Sequence, residues 1–278
     1  MSKVWLITGS SRGFGRELTK AVLDKGDKVV ATARNKDQLD FFVKEYGDLV
    51  RTFSLDVTDQ EAAHSAIQLA VKEFGSLDIV VNNAGYANSA PIEEMTDEDF
   101  RAQIETNLFG VVNVTKAALP VFHKQRSGYY IQFSSIGGRV GGTPGMGAYQ
   151  TAKYAVEGFS EVLHNEVKPF GVKVTIIEPG AFRTDWQGSS MVRAKVGEDY
   201  EQTVGAINKM REETDGKQPG DPARAAQIII NLADLEAPPL RLILGAAALE
   251  SALKSSKERY AEAEKWADLS KSADFPSE

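Results

Sequence analysis

Short apolar segments alternate with segments of helical periodicity along most of this chain. Several apolar runs, such as residues 79–81 and 174–177, are nearly uniform, which is typical of strands that a parallel sheet buries on both faces. Between the runs, apolar residues recur every three or four positions, as they do on the buried face of a helix. The predicted strands are residues 4–8, 28–34, 50–57, 77–82, 129–135, 172–178 and 240–244, and the main predicted helices are residues 14–25, 59–73, 97–124, 149–167 and 222–233.

This alternation predicts the fold class. Strands and helices that follow one another at this spacing favour an α/β protein with right-handed crossovers. We predict a Rossmann-like, doubly wound parallel sheet of about seven strands with helices on both faces. A chain of 278 residues can bury a sizeable core as one large domain. We therefore expect residues 1–278 to form a single domain.

Two segments break the alternation. Residues 185–221 are too long for an ordinary connection between elements, and we predict a helical substrate lid there; a disordered surface loop is the alternative. Residues 247–278 are charged and helical in pattern. The apolar positions on one face of this C-terminal helical tail are Leu253, Tyr260, Ala263 and Trp266. We expect the tail to pack on the domain or on a partner subunit.

Composition excludes several classes of protein. A net charge of −7 and a pI near 5.2 argue against a nucleic-acid-binding protein, which would carry a basic face. No apolar run approaches the roughly 20 residues that span a bilayer. The N-terminal segment lacks the long apolar stretch and cleavage site of a signal peptide. We therefore expect a cytoplasmic protein with no membrane partner.

The chain contains no cysteine, which excludes disulfides, thiolate catalysis and cysteine metal sites. Its three histidines, His64, His123 and His164, are far apart in the sequence and form no pair with ligand spacing. We expect no metal site.

A glycine-rich turn lies between the first predicted strand and the first predicted helix, at residues 8–15. Gly9 permits a sharp turn, Gly13 lets a phosphate approach the backbone, and Gly15 lets the helix pack close to the sheet. The start of the helix then presents unpaired N–H groups to a pyrophosphate. In this position, the turn predicts a dinucleotide site.

Tyr149 and Lys153 are four residues apart in a predicted helix, so both side chains lie on one face. An ammonium group one turn from a phenol favours the phenolate and lowers the pKa of the tyrosine. Taken alone, such a pair is more often a chance feature of a solvated helix. Its significance comes from the other motifs in the chain, among them the glycine turn, Asn107 and the serines 134 and 135.

Together these motifs resemble those of the short-chain dehydrogenase/reductase family. The glycines have the spacing G-x-x-x-G-x-G rather than the more usual G-x-G-x-x-G. The matching motifs are Thr8 to Gly15, Asp56-Val57, Asn82 to Gly85, Asn107, Ser135, Tyr149 with Lys153, and Pro179-Gly180 followed by Thr184. The resemblance covers about residues 3–245, outside which lies the tail, and it is strongest to bacterial reductases similar to 17β-hydroxysteroid dehydrogenases.

The resemblance implies a catalytic group. Tyr149 would be the acid or base at the substrate oxygen, and Ser135 would donate a hydrogen bond to that oxygen. Lys153 would bind the nicotinamide ribose and lower the pKa of Tyr149, and Asn107 would hold a water that links Lys153 to solvent. Adjacent serines on a strand face opposite sides, so only Ser134 or Ser135 can act; we prefer Ser135.

The resemblance also implies a set of cofactor-binding residues. These are Gly9, Ser11, Arg12, Gly13, Phe14, Gly15, Arg34, Asp56, Val57, Asn83, Ala84, Gly85, Tyr149, Lys153, Pro179, Gly180 and Thr184. Two of them have structural alternatives, because Asp56 could cap a helix and Asn83 could tie neighbouring strands together. The resemblance implies that Thr184 binds the nicotinamide carboxamide.

The second strand indicates which cofactor is bound. An enzyme that prefers NAD would place an acidic residue at the end of this strand, whereas this chain has Ala33 followed by Arg34. Arg34 and Arg12 could clamp the 2′-phosphate of NADP. We predict NADP(H); the alternative is that both arginines are solvated surface charges.

We therefore predict an NADP(H)-dependent carbonyl reductase or alcohol dehydrogenase that acts on a lipophilic small molecule. The candidates for an apolar substrate pocket are Tyr86, Met146, Phe182, Trp186 and Met191. Epimerases and dehydratases share the tyrosine–lysine pair, but they usually show G-x-x-G-x-x-G and a larger C-terminal domain. A second alternative is a catalytically silent NADP(H)-binding regulator. Since relatives pair through the helices that carry Asn107 and Tyr149, we expect a homodimer or homotetramer.

Overall fold

A computed structural model of the protein describes residues 2–188 and 190–275. Met1, Ser189 and residues 276–278 lie outside the described residues. The predicted domain, lid and tail each include some of these positions.

Seven parallel strands form the main sheet, which confirms the predicted fold class. Their order is β3-β2-β1-β4-β6-β7-β9, and every neighbouring pair is parallel. In the centre, Leu6 pairs with Val30 on one side and with Val80 on the other. The strands are β1 (Val4–Ile7), β2 (Lys28–Ala33), β3 (Val50–Ser54), β4 (Ile79–Asn82), β6 (Gly128–Phe133), β7 (Val172–Pro179) and β9 (Arg241–Leu244), and a separate parallel pair joins β5 (Ala87–Ser89) to β8 (Met191–Arg193).

Helices cover both faces of this sheet, as predicted. They are α1 (Gly13–Asp24), α2 (Asp40–Tyr46), α3 (Gln60–Phe74), α4 (Asp97–Ile104), α5 (Gly110–Gln125), α6 (Gly147–Val167), α7 (Ala206–Thr214), α8 (Pro222–Leu232), α9 (Ala246–Lys265) and α10 (Ala267–Lys271). The predicted helix 97–124 is interrupted by a π-helical turn at Glu105–Phe109.

Alternation of side chains along each strand divides the core between the two faces. Trp5 and Ile7 of β1 face α1 and α8, where they join a cluster with Leu18 and Ile229. Leu6 faces the other way, into a cluster that α3, α5 and α6 complete. Because both faces of the sheet are buried, its strands carry apolar residues at nearly every position.

The segment 185–221 folds into β8, a π-helical turn at Glu201–Gly205 and α7. Its strand pairs with β5, and its Val204 is buried. The described part of this segment is therefore packed against the domain and is not an extended loop.

The C-terminal tail forms α9 and α10. Only Ala248 and Ala252 of α9 are buried, and Arg259 donates a hydrogen bond to the Tyr154 hydroxyl of α6 at 2.8 Å. The face that we expected to pack is exposed at Leu253, Tyr260 and Trp266, because the buried contacts of α9 are confined to its first turns. No helix within residues 2–188 and 190–275 is long and apolar enough to cross a membrane.

Candidate active site

A cavity of about 550 Å³ runs along the carboxyl ends of the central strands. It lies where the chain order reverses between β1 and β4, which is the usual ligand position in an open α/β sheet. The glycine turn lines its middle, Arg34 and Asp56 line one end, and Tyr149 and Trp186 line the other.

The glycine turn has the conformation that its residues predict. Gly9 and Gly13 have φ angles of 72° and 55°, in the left-handed region that favours glycine. A Cβ on Gly15 would overlap the carbonyl oxygen of Gly9, so α1 begins in direct contact with the turn. A Cβ on Gly13 would lie 3.5 Å from the Cβ of Thr184, so the turn is close to the segment after β7 at this point. The shape of this cradle fits a pyrophosphate at the helix N-terminus.

Asn83 ties this turn to β4. Its Nδ2 donates to the carbonyl oxygens of Thr8 at 2.9 Å and Gly9 at 3.2 Å. The Thr8 hydroxyl accepts from the backbone N–H groups of Asn83 and Ala84. The side chain of Asn83 thus has the structural role that we considered as an alternative, while Asn83, Ala84 and Gly85 still line the cavity.

Two arginines, one in the glycine turn and one directly after β2, line the cavity. Arg12 and Arg34 both line it, both are exposed, and neither forms an ion pair with any described residue. Ala33, the last residue of β2, is buried beside them. A phosphate here would meet two free guanidinium groups and no carboxylate at the strand end.

Asp56 and Val57 form the wall next to these arginines. The Asp56 carboxylate accepts hydrogen bonds from the backbone N–H and the hydroxyl of Thr58, at 3.0 and 2.8 Å. The cap of α3 is Asp59, which accepts from the N–H of Ala62. Asp56 therefore stabilises the turn before α3 and does not cap that helix.

Tyr149, Lys153 and Ser135 lie together at the opposite end. The tyrosine and lysine are one turn apart on α6, with the Lys153 Nζ 5.8 Å from the centre of the Tyr149 ring. Ser135 follows β6 and lines the cavity, and its Oγ accepts from the N–H of Gly137 at 3.0 Å. Ser134 also lines the cavity, but it is buried and its hydroxyl turns towards the Lys153 carbonyl oxygen at 3.5 Å.

The acidities of Tyr149 and Lys153 are both set by burial. Burial raises the pKa of Tyr149 to about 12, and the Ser135 hydroxyl and the positive charge of Arg211 act in the opposite direction. Burial also lowers the pKa of Lys153 to about 8, against a smaller rise from Glu157. We predicted that Lys153 lowers the pKa of Tyr149. The protein groups alone instead raise the pKa of Tyr149, because desolvation of the phenolate outweighs the effect of the nearby charges.

Asn107 lies within the π-helical turn between α4 and α5, a type of distortion that is frequent at functional sites. Its Nδ2 donates to the carbonyl oxygens of Tyr86 at 2.9 Å and Gln103 at 3.0 Å, and its Oδ1 accepts from the Tyr86 N–H at 3.1 Å. The side chain therefore holds the loop after β4 against the helix, and Asn107 also lines the cavity.

The segment after β7 closes the cavity opposite Ser135. Pro179, Gly180 and Thr184 all line it, and Gly180 is fixed by a hydrogen bond from its N–H to the Leu244 carbonyl oxygen at 2.9 Å. The ring of Phe182 packs against that of Phe14, with centres 4.9 Å apart. Both phenylalanines line the cavity, so this aromatic contact joins the segment to the start of α1.

An apolar cluster surrounds Tyr149. It contains Ala87, Met146 and Met191, with Trp186 packed against it. The Trp186 ring lies 5.3 Å from that of Tyr149, at an interplanar angle of 57°. Of the predicted pocket candidates, Tyr86, Met146, Phe182 and Trp186 line the cavity, and Met191 supports them from β8.

Sequence reasoning missed several polar residues of the cavity wall, among them Gln38 and Arg211. Gln38 follows β2, and Arg211 of α7 lies near Tyr149. Neither residue belongs to a recognisable motif. Arg211 is on a short helix whose sequence is typical of an exposed helix. It reaches the cavity wall only because the segment 185–221 folds over the cavity. No cluster of potential metal ligands occurs among the described residues.

The comparisons with known proteins agree with this geometry. A family model described as short chain dehydrogenase matches residues 3–194. Oxidoreductase BOA17 of Botryotinia fuckeliana is 47% identical over 271 residues, which cover 97% of this chain and 98% of that protein.

Solved structures show the same fold. A short-chain dehydrogenase from Streptomyces avermitilis matches with a TM-score of 0.91 and 38% identity, over 99% of this chain and 100% of that one. A short-chain dehydrogenase from Burkholderia cenocepacia, in complex with NADP, matches with a TM-score of 0.74 and 26% identity, over 95% and 97% of the two chains. A short-chain dehydrogenase/reductase from Burkholderia phymatum, which has the same fold, was solved in complex with NAD. The chain therefore belongs to the short-chain dehydrogenase/reductase family of oxidoreductases.

Proposed function

We propose that the protein is an NADP(H)-dependent oxidoreductase that transfers a hydride between the nicotinamide and a ketone, an aldehyde or the corresponding alcohol. The observation that carries this proposal is the meeting of the Tyr149 phenol, the Ser135 hydroxyl and the Lys153 ammonium at one end of a cavity that begins at a glycine turn. In reduction, the carbonyl carbon gains a hydride and the oxygen gains a proton, which gives an alcohol and NADP+.

The residues of the cavity fit the cofactor in three regions. The backbone from Gly9 to Gly15 would hold the pyrophosphate, and Arg12 and Arg34 would bind the 2′-phosphate. Ala84, Gly85, Pro179 and Thr184 would border the nicotinamide and its ribose. When bound, the dihydronicotinamide supplies the hydride, and its oxidised form places a positive charge near Tyr149.

The preference for NADP(H) is supported by this chain's own residues. Structures of related proteins hold either cofactor, so they do not decide the choice. Ala33 puts no carboxylate at the end of β2, and both arginines are free of ion pairs among the described residues.

Tyr149 is the proposed acid and base. A pKa of about 12 keeps its phenol protonated at neutral pH, which is the form required to donate a proton to a carbonyl oxygen. Ser135 lies beside the phenol and would donate to the same oxygen as it gains charge. Lys153 would bind the ribose hydroxyls, and Asn107 would position the loop on which Gly85 and Tyr86 lie.

Met146, Trp186 and Met210 line the cavity near Tyr149, so we propose a lipophilic carbonyl compound or alcohol. We also propose that the protein associates as a homodimer or homotetramer, since Phe109, Tyr154 and Val162 are exposed on the helices expected to pair. Light scattering after size-exclusion chromatography measures this state directly. A cytoplasmic location and the likeness to 17β-hydroxysteroid dehydrogenases stay predictions.

Loss of NADPH absorbance with a panel of ketones and aldehydes tests the activity. Turnover that falls at least about 100-fold in Tyr149→Phe, while cofactor binding is retained, is the expected result. Tyr154→Phe is the matched control, because Tyr154 lies on the same helix and hydrogen-bonds to the Arg139 carbonyl oxygen outside the cavity. Cofactor binding without any turnover, unchanged by Tyr149→Phe, would instead favour the regulator.

A further inference from the structure

Arg211 is a buried cation in the wall of the substrate end of the cavity. It lies on α7, only 6% of its surface is exposed, and that helix otherwise carries its charges on the outside. The one hydrogen bond of its side chain among the described residues is a long one, from Nη1 to the Ser89 hydroxyl at 3.5 Å. The Ser89 hydroxyl itself donates to Asn208 Oδ1 at 2.6 Å. Because the contact with Ser89 is long, most of the N–H donors of the Arg211 guanidinium have no strong acceptor.

No carboxylate within residues 2–188 and 190–275 forms an ion pair with Arg211. The acidic residues that line the cavity are Asp56, at the far end, and Asp185, which is exposed. A buried charge without a partner is unfavourable by several kcal/mol as an order of magnitude. Such a group persists in a binding site when a ligand supplies the opposite charge.

A second arginine, Arg193, increases the positive potential that would attract an anion. Burial lowers the pKa of Arg211, and the positive charge of Arg193 on β8 lowers it further because the two guanidinium groups repel each other. The Nε of Arg193 is itself buried without a hydrogen-bond partner among the described residues. Of the two arginines, only Arg211 lines the cavity. Arg193 is not part of the cavity wall but adds positive potential to the site. The protein as a whole has a net charge of −7, so this local excess of positive charge is specific to the site.

Arg211 is close enough to Tyr149 for its charge to act on the phenol. Trp186 packs against Tyr149, and Met146 and Met210 line the same region. A molecule with its carbonyl oxygen at Tyr149 would therefore have apolar walls around its body and a guanidinium within reach of a second functional group.

We propose that the substrate is an oxo acid, or the corresponding hydroxy acid, whose carboxylate is bound by Arg211. This inference rests on the proposed function and names the class of substrate for the same site. The planar guanidinium matches a carboxylate through two parallel hydrogen bonds. The carboxylate takes no part in the redox step: the carbonyl carbon gains the hydride from NADPH, its oxygen gains the proton from Tyr149, and the product is a hydroxy acid with NADP+.

The test compares acids with their neutral esters. NADPH oxidation is measured with phenylglyoxylate, benzoylacetate and 3-benzoylpropanoate, which place the carboxylate at increasing distance from the carbonyl, and with the methyl ester of each. Acetophenone serves as a ketone without either group. For at least one pair, we expect kcat/KM of the acid to exceed that of the ester by about 10- to 100-fold, the range of a charge-assisted hydrogen bond.

Variants assign that difference to Arg211. In Arg211→Met, the acid should fall to the level of its ester through a higher KM, and the ester should change less than about threefold. Arg211→Lys keeps the positive charge but cannot form the two parallel hydrogen bonds of a guanidinium, so it should retain part of the preference for the acid over the ester. Lys209→Met is the matched control, because Lys209 is an exposed cation on the same helix outside the cavity wall; it should leave both rates unchanged.

Each outcome separates the inference from the proposed function. Esters and acetophenone that react as well as every acid would overturn the inference and leave the oxidoreductase intact. An equal loss with acid and ester in Arg211→Met would show that Arg211 acts only through Ser89 or the phenol. If no carbonyl compound oxidises NADPH or NADH, the proposed function fails, and with it the oxo-acid assignment. Should Arg211→Met not unfold cooperatively, the wild-type ratio of acid to ester and the Arg211→Lys variant still decide the question.

Discussion

The ammonium of Lys153 donates a hydrogen bond to the carbonyl oxygen of Phe133 at 2.8 Å. This contact joins α6 to the last residue of β6 and fixes Lys153 one turn from Tyr149. Only 4% of the lysine is exposed, so the position that serves the proposed chemistry also places a charge where water cannot solvate it. Function and stability should therefore conflict at this residue.

Lys153→Met should stabilise the fold while it abolishes activity. Burial lowers the pKa of Lys153 from 10.5 to about 8, which corresponds to a penalty of about 3 kcal/mol for the charged form. Loss of the hydrogen bond to Phe133 offsets about 1 kcal/mol of this, so we expect a net gain of about 2 kcal/mol at pH 7. Urea unfolding measures it, and Lys116→Met, an exposed position on α5, should show no comparable gain.

The gain should depend on pH with a defined sign. Between pH 8 and 10.5 the unfolded wild-type chain binds more protons at this lysine than the folded chain does, so wild-type stability contributed by this group rises with pH. The advantage of Lys153→Met should be full below about pH 8 and disappear near pH 10.5. An advantage that grows with pH would contradict the assignment of a lowered pKa.

Arg34→Asp should reverse the cofactor preference. The substitution removes a proposed phosphate ligand and places a carboxylate where it can accept from the adenosine 2′-hydroxyl. We expect kcat/KM with NADPH to fall about 10- to 100-fold and the value with NADH to rise. Lys36→Asp makes the same change of charge two residues away, outside the cavity wall, and should leave the ratio unchanged. An unaltered preference for NADPH in Arg34→Asp would remove the assignment of the phosphate site.

Ser135→Ala and Ser134→Ala should differ in their effects. The Ser135 hydroxyl lies beside the Tyr149 phenol and would stabilise charge on the substrate oxygen, so its removal should lower kcat about 100- to 1,000-fold. Ser134 also lines the cavity, but its hydroxyl points to the Lys153 carbonyl oxygen at 3.5 Å. Loss of this long contact should change kcat by less than about tenfold. Steady-state kinetics of the two variants decide the assignment, and a reversed order would show that Ser134 is the active serine.

Features that depend on local pattern were predictable from the sequence. The seven strands of the sheet follow from apolar runs, since burial on both faces demands them, and the glycine turn follows from backbone conformations that only glycine adopts easily. Tyr149 and Lys153 are four residues apart, and this spacing alone places them on one face of a helix.

Features that depend on distant packing were not predictable. Arg211 enters the site only because 185–221 folds over the cavity, and the raised pKa of Tyr149 follows from its burial. Likewise, the sequence left the role of Asn83 open between two alternatives, and only its contacts with Thr8 and Gly9, about 75 residues away, show that its side chain ties the turn to β4. Motif spacing carries no information about such contacts, so the polarity of the substrate end had to be read from the structure.

Gly15→Ala and Gly158→Ala should change stability in opposite directions. A Cβ on Gly15 would overlap the Gly9 carbonyl and lie 2.6 Å from Asn83 Nδ2, so either the glycine turn or the start of α1 must move. Such overpacking costs about 1–3 kcal/mol, and the displaced N–H groups should also bind NADPH more weakly. Gly158 lies exposed in α6 with open space around its Cβ position. There alanine should stabilise the helix by about 0.5–1 kcal/mol.

Urea unfolding and fluorescence titration with NADPH measure both effects for the two variants. Because both substitutions add the same methyl group, a difference between them reports the surroundings of each glycine and not the change in residue type. Weaker NADPH binding in Gly15→Ala, with unchanged binding in Gly158→Ala, would support the cofactor cradle at the start of α1. Equal NADPH affinity in all three proteins would mean that the pyrophosphate does not rest on this turn, since the first turn of α1 cannot accept the methyl group without moving.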